Sequence, residues 1–141
     1  MAITLRPATE ADIPGIVAVS SAAFDPSTDA ITRRLFPSSQ HGTVSGIREW
    51  SIFRKSARLY VDRSVVMVAI DETDGAVVGY SMWFAPQEEG EVPAAALPPP
   101  PPKRDFEGFD REAATELRRI MEDDGRDIFG EKSTDGVWSE L

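Results

Sequence analysis

Hydrophobic and polar positions along the chain follow two rhythms, and the changes of rhythm mark the elements. Residues 65–70 and 77–84 are the most strand-like runs, rich in β-branched and aromatic side chains. Asp74-Gly75 lies between them and supplies the positive φ of a tight reversal. The pattern predicts a β-hairpin. Both runs are nearly continuous in apolar residues, which predicts a hairpin covered on both faces, at the centre of the fold and not at an edge. Ile3-Thr4-Leu5 alternates and predicts a short first strand.

Between these strands the spacing is helical. Ile13, Ile16, Val17 and Phe24 recur on one side together with Ser20. Thr9 and Asp12 have the spacing of a capping box. With Thr9 as the cap, Pro14 falls in the hydrogen-bonded part of the helix; with Asp12 as the cap it falls in the first turn, where it is tolerated. Asp25-Pro26-Ser27 ends this helix. Asp29 can cap a short second helix carrying Ile31, Leu35 and Phe36, which Pro37 stops. Residues 37–46 read as a polar loop containing His41. A third helix is expected over 47–60, with Ile47, Trp50, Phe53 and Ala57 as its apolar stripe and Arg48, Arg54, Lys55 and Arg58 as a basic flank.

After the hairpin the composition changes. Residues 86–109 read as a proline-rich flexible insertion, with five consecutive prolines at 98–102. It is either a linker or a ligand for a proline-recognising partner. Asp110 caps a helix expected to run to Asp123, striped by Ala113, Ala114, Leu117, Ile120 and Met121, with Gly125 as its end. Ile128 and Phe129 are then placed to dock on the core. Val137, Ser139 and Leu141 alternate like the beginning of another strand. The order predicts one layered α+β domain over 1–141 with a mainly antiparallel sheet and flanking helices.

Composition narrows the chemistry. There is no cysteine and one histidine, which excludes thiolate catalysis, disulfides and multi-histidine metal sites. No metal site is expected. No apolar run approaches the ~20 residues that span a bilayer, and the first residues lack the layout of a signal peptide. A soluble intracellular, cytoplasmic protein without membrane contact is the expectation. Residues 1–85 carry 8 Lys+Arg against 9 Asp+Glu, whereas 86–141 carry 7 against 15. So acidic a second half argues against a nucleic-acid surface.

The chain resembles the GNAT superfamily of N-acetyltransferases. Ile3-Thr4-Leu5-Arg6-Pro7-Ala8-Thr9-Glu10-Ala11-Asp12 looks like that family's first strand and its entry to the first helix. Val66-Met67-Val68-Ala69-Ile70-Asp71, a turn, and Ala76-Val77-Val78-Gly79-Tyr80-Ser81-Met82-Trp83 look like its second and third strands. The proline-rich and helical insertion resembles fungal members in particular. The resemblance implies an acyl-CoA N-acyltransferase fold, acetyl-CoA as co-substrate and a small-molecule or peptide amine as acceptor. It also implies a Gln/Arg-x-x-Gly-x-Gly/Ala loop whose backbone N–H groups cradle the cofactor's pyrophosphate. No two glycines of this chain are separated by one residue, so none of its residues is expected to bind the cofactor tightly. The strand start at 137–141 precedes the place where that loop, the fifth strand and a general-acid tyrosine would follow. The expectation is the N-terminal portion of an acetyltransferase, truncated before the acetyl-CoA motif and inactive as the isolated chain.

Candidate site residues follow from the same resemblance. Phe24 and Asp25 lie where the family lines its acceptor pocket; otherwise they are an apolar anchor and a turn residue. Tyr80 and Trp83 on the third strand either touch an acceptor or pack in the core. The basic flank of the third helix can meet a phosphate or be an ordinary exposed face. His41 is a base only if a partner comes to it. Glu88, Glu89 and Glu91 read as a solvated acidic loop. The alternative function is a non-catalytic interaction module that recruits another chain by strand addition at the open edge of the last strand.

Overall fold

Three strands and four α-helices make up the computed structural model, which describes residues 2–37, 45–86 and 105–129. The strands are β1 (Ile3–Pro7), β2 (Ser64–Asp71) and β3 (Val77–Phe84). The helices are α1 (Ile13–Ala23), α2 (Ala30–Leu35), α3 (Ser45–Arg58) and α4 (Arg111–Phe129). The sheet order is β1-β2-β3, antiparallel throughout. The expected α+β class and antiparallel sheet are therefore what the chain forms.

The hairpin turn uses the chemistry its sequence carries. Gly75 takes φ 73°, and its N–H donates to the Asp71 carbonyl at 2.8 Å. The Asp71 and Asp74 carboxylates accept from the N–H groups of Thr73 and Ala76 at 2.8 and 2.9 Å. Pairing shifts between Ala69↔Gly79 and Ile70↔Val77, so Val78 is left over as a bulge residue. That shift returns Val77 to the inner face, where it meets α1. A Cβ on Gly15 would lie 2.6 Å from Val77 Cγ2, so only glycine allows the helix this close to the sheet.

One face of the sheet carries the main core. Val66, Val68 and Met82 are buried against Ile13, Ile16 and Val17 of α1, with Ile52, Leu59, Ile70 and Tyr80 around them. The opposite face does not match expectation. Leu5 is 70% exposed and Trp83 39% exposed. Among the described residues β2 is the central strand, β3 pairs on one side only, and the hairpin is covered on one face. Apolar continuity cannot separate a strand covered twice from one whose second face is apolar yet open.

A second cluster lies beyond the sheet. Phe36 is fully buried and meets Trp50 edge-on with ring centroids 5.5 Å apart, and Phe109 at 5.3 Å. Phe106 adds Phe53 at 5.5 Å. Most of the expected insertion 86–109 lies outside the described residues, but its last five, 105–109, pack here. Gly46 permits this contact, because any side chain there would run into the backbone of Glu107. The Asp110 N–H donates to the Leu35 carbonyl at 2.8 Å, and the Asp110 carboxylate caps α4 at the Ala113 N–H, 2.8 Å away.

Helix ends differ from the expected ones in two places. α3 begins at Ser45 and includes Gly46, which reads in sequence as loop. α4 does not stop at Gly125 but runs to Phe129. A glycine ends a helix by taking positive φ, and of the described glycines only Gly75 and Gly108 do so. Ile128, expected to dock on the core, is 73% exposed. His41 and the strand start at 137–141 lie outside the described residues.

Candidate functional site

The entry from β1 into α1 is one bonded unit. Thr9 opens a single 3-10 turn, Glu10–Asp12, and α1 follows, which places Pro14 in its first turn. Asp12 does not cap α1 with its side chain. Its carboxylate accepts from both terminal nitrogens of Arg6 at 2.7 Å each and from the Thr9 N–H at 2.8 Å. Asp12 is buried. The Arg6 hydrogen bonds hold its pKa far below the usual carboxylate range; burial opposes them, and Thr9 adds to them. This cluster fixes the strand to the helix and leaves no acceptor capacity aimed at a substrate.

At the other end of α1 stand two expected acceptor residues. Phe24 is 55% exposed. The Asp25 carboxylate accepts from the N–H of Ser27 at 2.8 Å and from its hydroxyl. These bonds, the hydroxyl first, lower the Asp25 pKa. The Asp25 carbonyl also receives Asp29 N–H at 2.7 Å. Asp25 is thus a turn residue that keeps an ionised carboxylate at the surface beside an exposed aromatic ring.

The expected strand residues are separated by the pleat. Tyr80 shares the inner face with Met82, whereas Trp83 stands opposite Val65 on the outer face. Tyr80 and Trp83 therefore cannot line one pocket. Tyr80 finds its partner in α3: Lys55 Nζ donates to the Tyr80 hydroxyl at 2.9 Å and lies 4.7 Å from the ring centroid. Neighbouring cations repeat the motif. Arg54 lies over Trp50 at 4.7 Å and Arg58 over Phe84 at 4.6 Å. Arg54, Lys55 and Arg58 of the basic flank read from the sequence are therefore ordered against rings from α3 and β3. No group of three or more acidic or histidine residues able to hold a metal exists among the described residues. No described helix is long and apolar enough to cross a membrane.

Sequence periodicity gave no sign of Arg63. It holds φ 58° in the turn before β2, where non-glycine residues are strained. Its carbonyl accepts from Ala85 N–H at 2.9 Å, which ties the turn to the end of β3.

Comparison with known proteins adds a loose likeness. No family model and no curated protein matches the chain. A solved structure described as histone acetyltransferase HPA2 and related acetyltransferase, from Corynebacterium glutamicum, aligns with 94% of this chain and 74% of its own. The two are 23% identical, with a TM-score of 0.43, which does not by itself establish a common fold.

Proposed function

We propose that the chain is built as the acceptor side of a GNAT-type N-acetyltransferase with an acyl-CoA N-acyltransferase fold. The supporting observation is that the two stretches carrying the sequence resemblance become neighbours in one sheet. Residues 3–7 pair with β2 from Ile3↔Asp71 to Pro7↔Met67, and the Arg6–Asp12–Thr9 unit directs the chain into α1. In the reaction the acceptor ammonium gives up a proton, its nitrogen attacks the thioester carbonyl of acetyl-CoA, and the carbon–sulfur bond breaks to release the thiolate, which takes a proton. The chain's part is to hold the amine. Asp25, ionised beside the exposed Phe24, is the group suited to an ammonium, with Tyr80 a further candidate. No glycine-rich cradle for the pyrophosphate occurs in the 141 residues, so acetyl-CoA is expected to bind this chain weakly.

Titration of the 141-residue chain with spermidine and with a lysine-containing peptide, followed by NMR, tests the acceptor side. Saturable shifts centred on Phe24 and Asp25, reduced in Asp25→Asn, are expected; an unchanged spectrum with both amines would overturn it. Calorimetry with acetyl-CoA is expected to show no saturation in the micromolar range, and saturable micromolar binding would overturn the weak-binding expectation.

A second reading is favoured by the edge of the sheet. β3 pairs only with β2 among the described residues, and Val77–Phe84 holds no charge and no proline to discourage a further strand. As a non-catalytic module the chain would recruit another chain by strand addition. Sedimentation of a monomer unchanged with concentration and with added peptide strands would count against it.

A further inference from the structure

α4 is anchored at one end. The Asp110 cap, the Asp110 N–H bond to the Leu35 carbonyl, the buried Ala113 and the Arg34–Glu116 ion pair at 2.5 Å all fall within its first two turns. From Arg118 onward, among the described residues, its ion pairs are internal: Asp123 meets Arg119 at 3.9 Å and Arg126 at 2.5 Å. Residues 118–128 are exposed apart from the half-buried Asp123 and Gly125. Three turns of helix without packing are marginal in water, and the helical Gly125 weakens them further.

This projecting part is amphipathic. Leu117, Ile120, Met121 and Ile128 fall on one stripe, and the last three are exposed. Charge is distributed unevenly along the same helix. Residues 111–119 hold three arginines against two glutamates, whereas 120–129 hold one arginine against four aspartates and glutamates. That distribution chooses between occupants of the stripe. A membrane surface takes amphipathic helices whose polar face is basic, and this one is acidic overall. A second α4 laid antiparallel joins the two stripes and sets the basic half of each helix against the acidic half of the other. Parallel pairing would set like against like, and would bring together two copies of Asp124, which lies on the stripe.

We propose that α4 pairs antiparallel with α4 of a second copy of this chain, about a twofold axis near Ile120 and Met121. Leu117, Ile120 and Met121 of both copies then bury one another at the centre, and each Asp124 faces the more basic half of its partner. The pairing supplies the packing that the last three turns of the helix otherwise lack. It uses neither Phe24 and Asp25 nor the edge of β3, so it stands apart from both functional readings.

Sedimentation equilibrium of the full 141-residue chain tests the pairing. A monomer–dimer equilibrium that shifts with concentration is expected. Ile120→Glu/Met121→Glu should raise the dimer dissociation constant about tenfold or more, because it would bury unpaired carboxylates. Arg118→Glu/Arg119→Glu, which leaves the stripe intact, should raise it less, and Arg48→Gln on α3 not at all. Orientation is read by electron paramagnetic resonance from a spin label at Asp127→Cys, the one cysteine of that variant. Antiparallel pairing sets the two labelled positions about 20 Å apart along the helices; parallel pairing would leave them about 8–10 Å apart. A monomer at every concentration would overturn the proposal, whether the chain's own residues or none cover the stripe. So would the parallel spacing. Wild-type affinity in both α4 double variants would overturn it too, by moving the association elsewhere, such as the edge of β3. If the first of these variants does not fold, the second keeps the test decisive.

Discussion

Two clusters hold this chain together, and they are built differently. The sheet core joins Ile13, Ile16 and Val17 to Val66, Val68 and Met82. Its members are aliphatic, apart from methionine, and come from elements whose periodicity is plain in the sequence. The second cluster is aromatic. It joins Phe36, Trp50 and Phe53 to Phe106 and Phe109, across the long proline-rich stretch. The sheet core follows from regular alternation and helical stripes, each burying one face. The aromatic cluster adds to the α3 stripe residues Trp50 and Phe53 three rings outside regular elements, Phe36, Phe106 and Phe109, and depends on one glycine that lets two backbones touch. Regular patterns mark residues that can be buried; which isolated rings outside them, such as Phe106 and Phe109, complete a core is visible only once folded.

The largest effects should come from truncating one buried side chain in each cluster. Phe36→Ala should destabilise by about 3–5 kcal/mol and Ile16→Ala by about 2–5 kcal/mol, so total stability will not tell them apart. Hydrogen exchange will. In Ile16→Ala protection should fall throughout β1, β2, β3 and α1. In Phe36→Ala the loss should concentrate in α2 and α4, with the hairpin still protected. Equal loss everywhere in both variants would show that the two clusters form a single cooperative unit.

A smaller effect tests the joint between β1 and α1. Asp12 has its folded pKa depressed, so its contribution to stability is complete above the ordinary carboxylate range and is lost as pH falls through the folded value. Stability measured by urea unfolding should therefore fall with acid below about pH 4. Asp12→Asn should cost about 2 kcal/mol at neutral pH and flatten that acid dependence. An unchanged slope would place the acid sensitivity elsewhere.

The smallest effect has the opposite sign. Gly125 is helical and has open space around the position of a Cβ. Gly125→Ala should stabilise α4 by up to ~1 kcal/mol, raising protection of the amides on either side of it. Destabilisation would mean that Gly125 ends the helix, as its sequence context suggests.

Much of the framework was legible before the structure. The hairpin, the short first strand and the Asp29 and Asp110 caps follow from local chemistry, because a cap or turn needs only residues a few positions apart; the place of Pro14 stayed open between two caps until the structure showed the 3-10 turn before α1. The candidate site was legible in part. Asp25 reads as a turn residue and remains one, and the basic flank of α3 is plain in the spacing of Arg54, Lys55 and Arg58. That Lys55 reaches Tyr80 and that Ser64 stands opposite Phe84 could not be read. Each depends on strand register and on which helix covers which face.

What the amino-acid sequence determined by itself is therefore the set of elements and those ends that a local cap or turn fixes, since these depend on interactions within a turn or two of chain. Tertiary structure alone decided that, among the described residues, the hairpin is covered on one face, that Phe106 and Phe109 belong to a core, and that α4 runs through its glycine. The reason is physical. Burial is a property of what lies across a gap in space, and a segment's own residues state only that they can be buried, not what arrives to bury them.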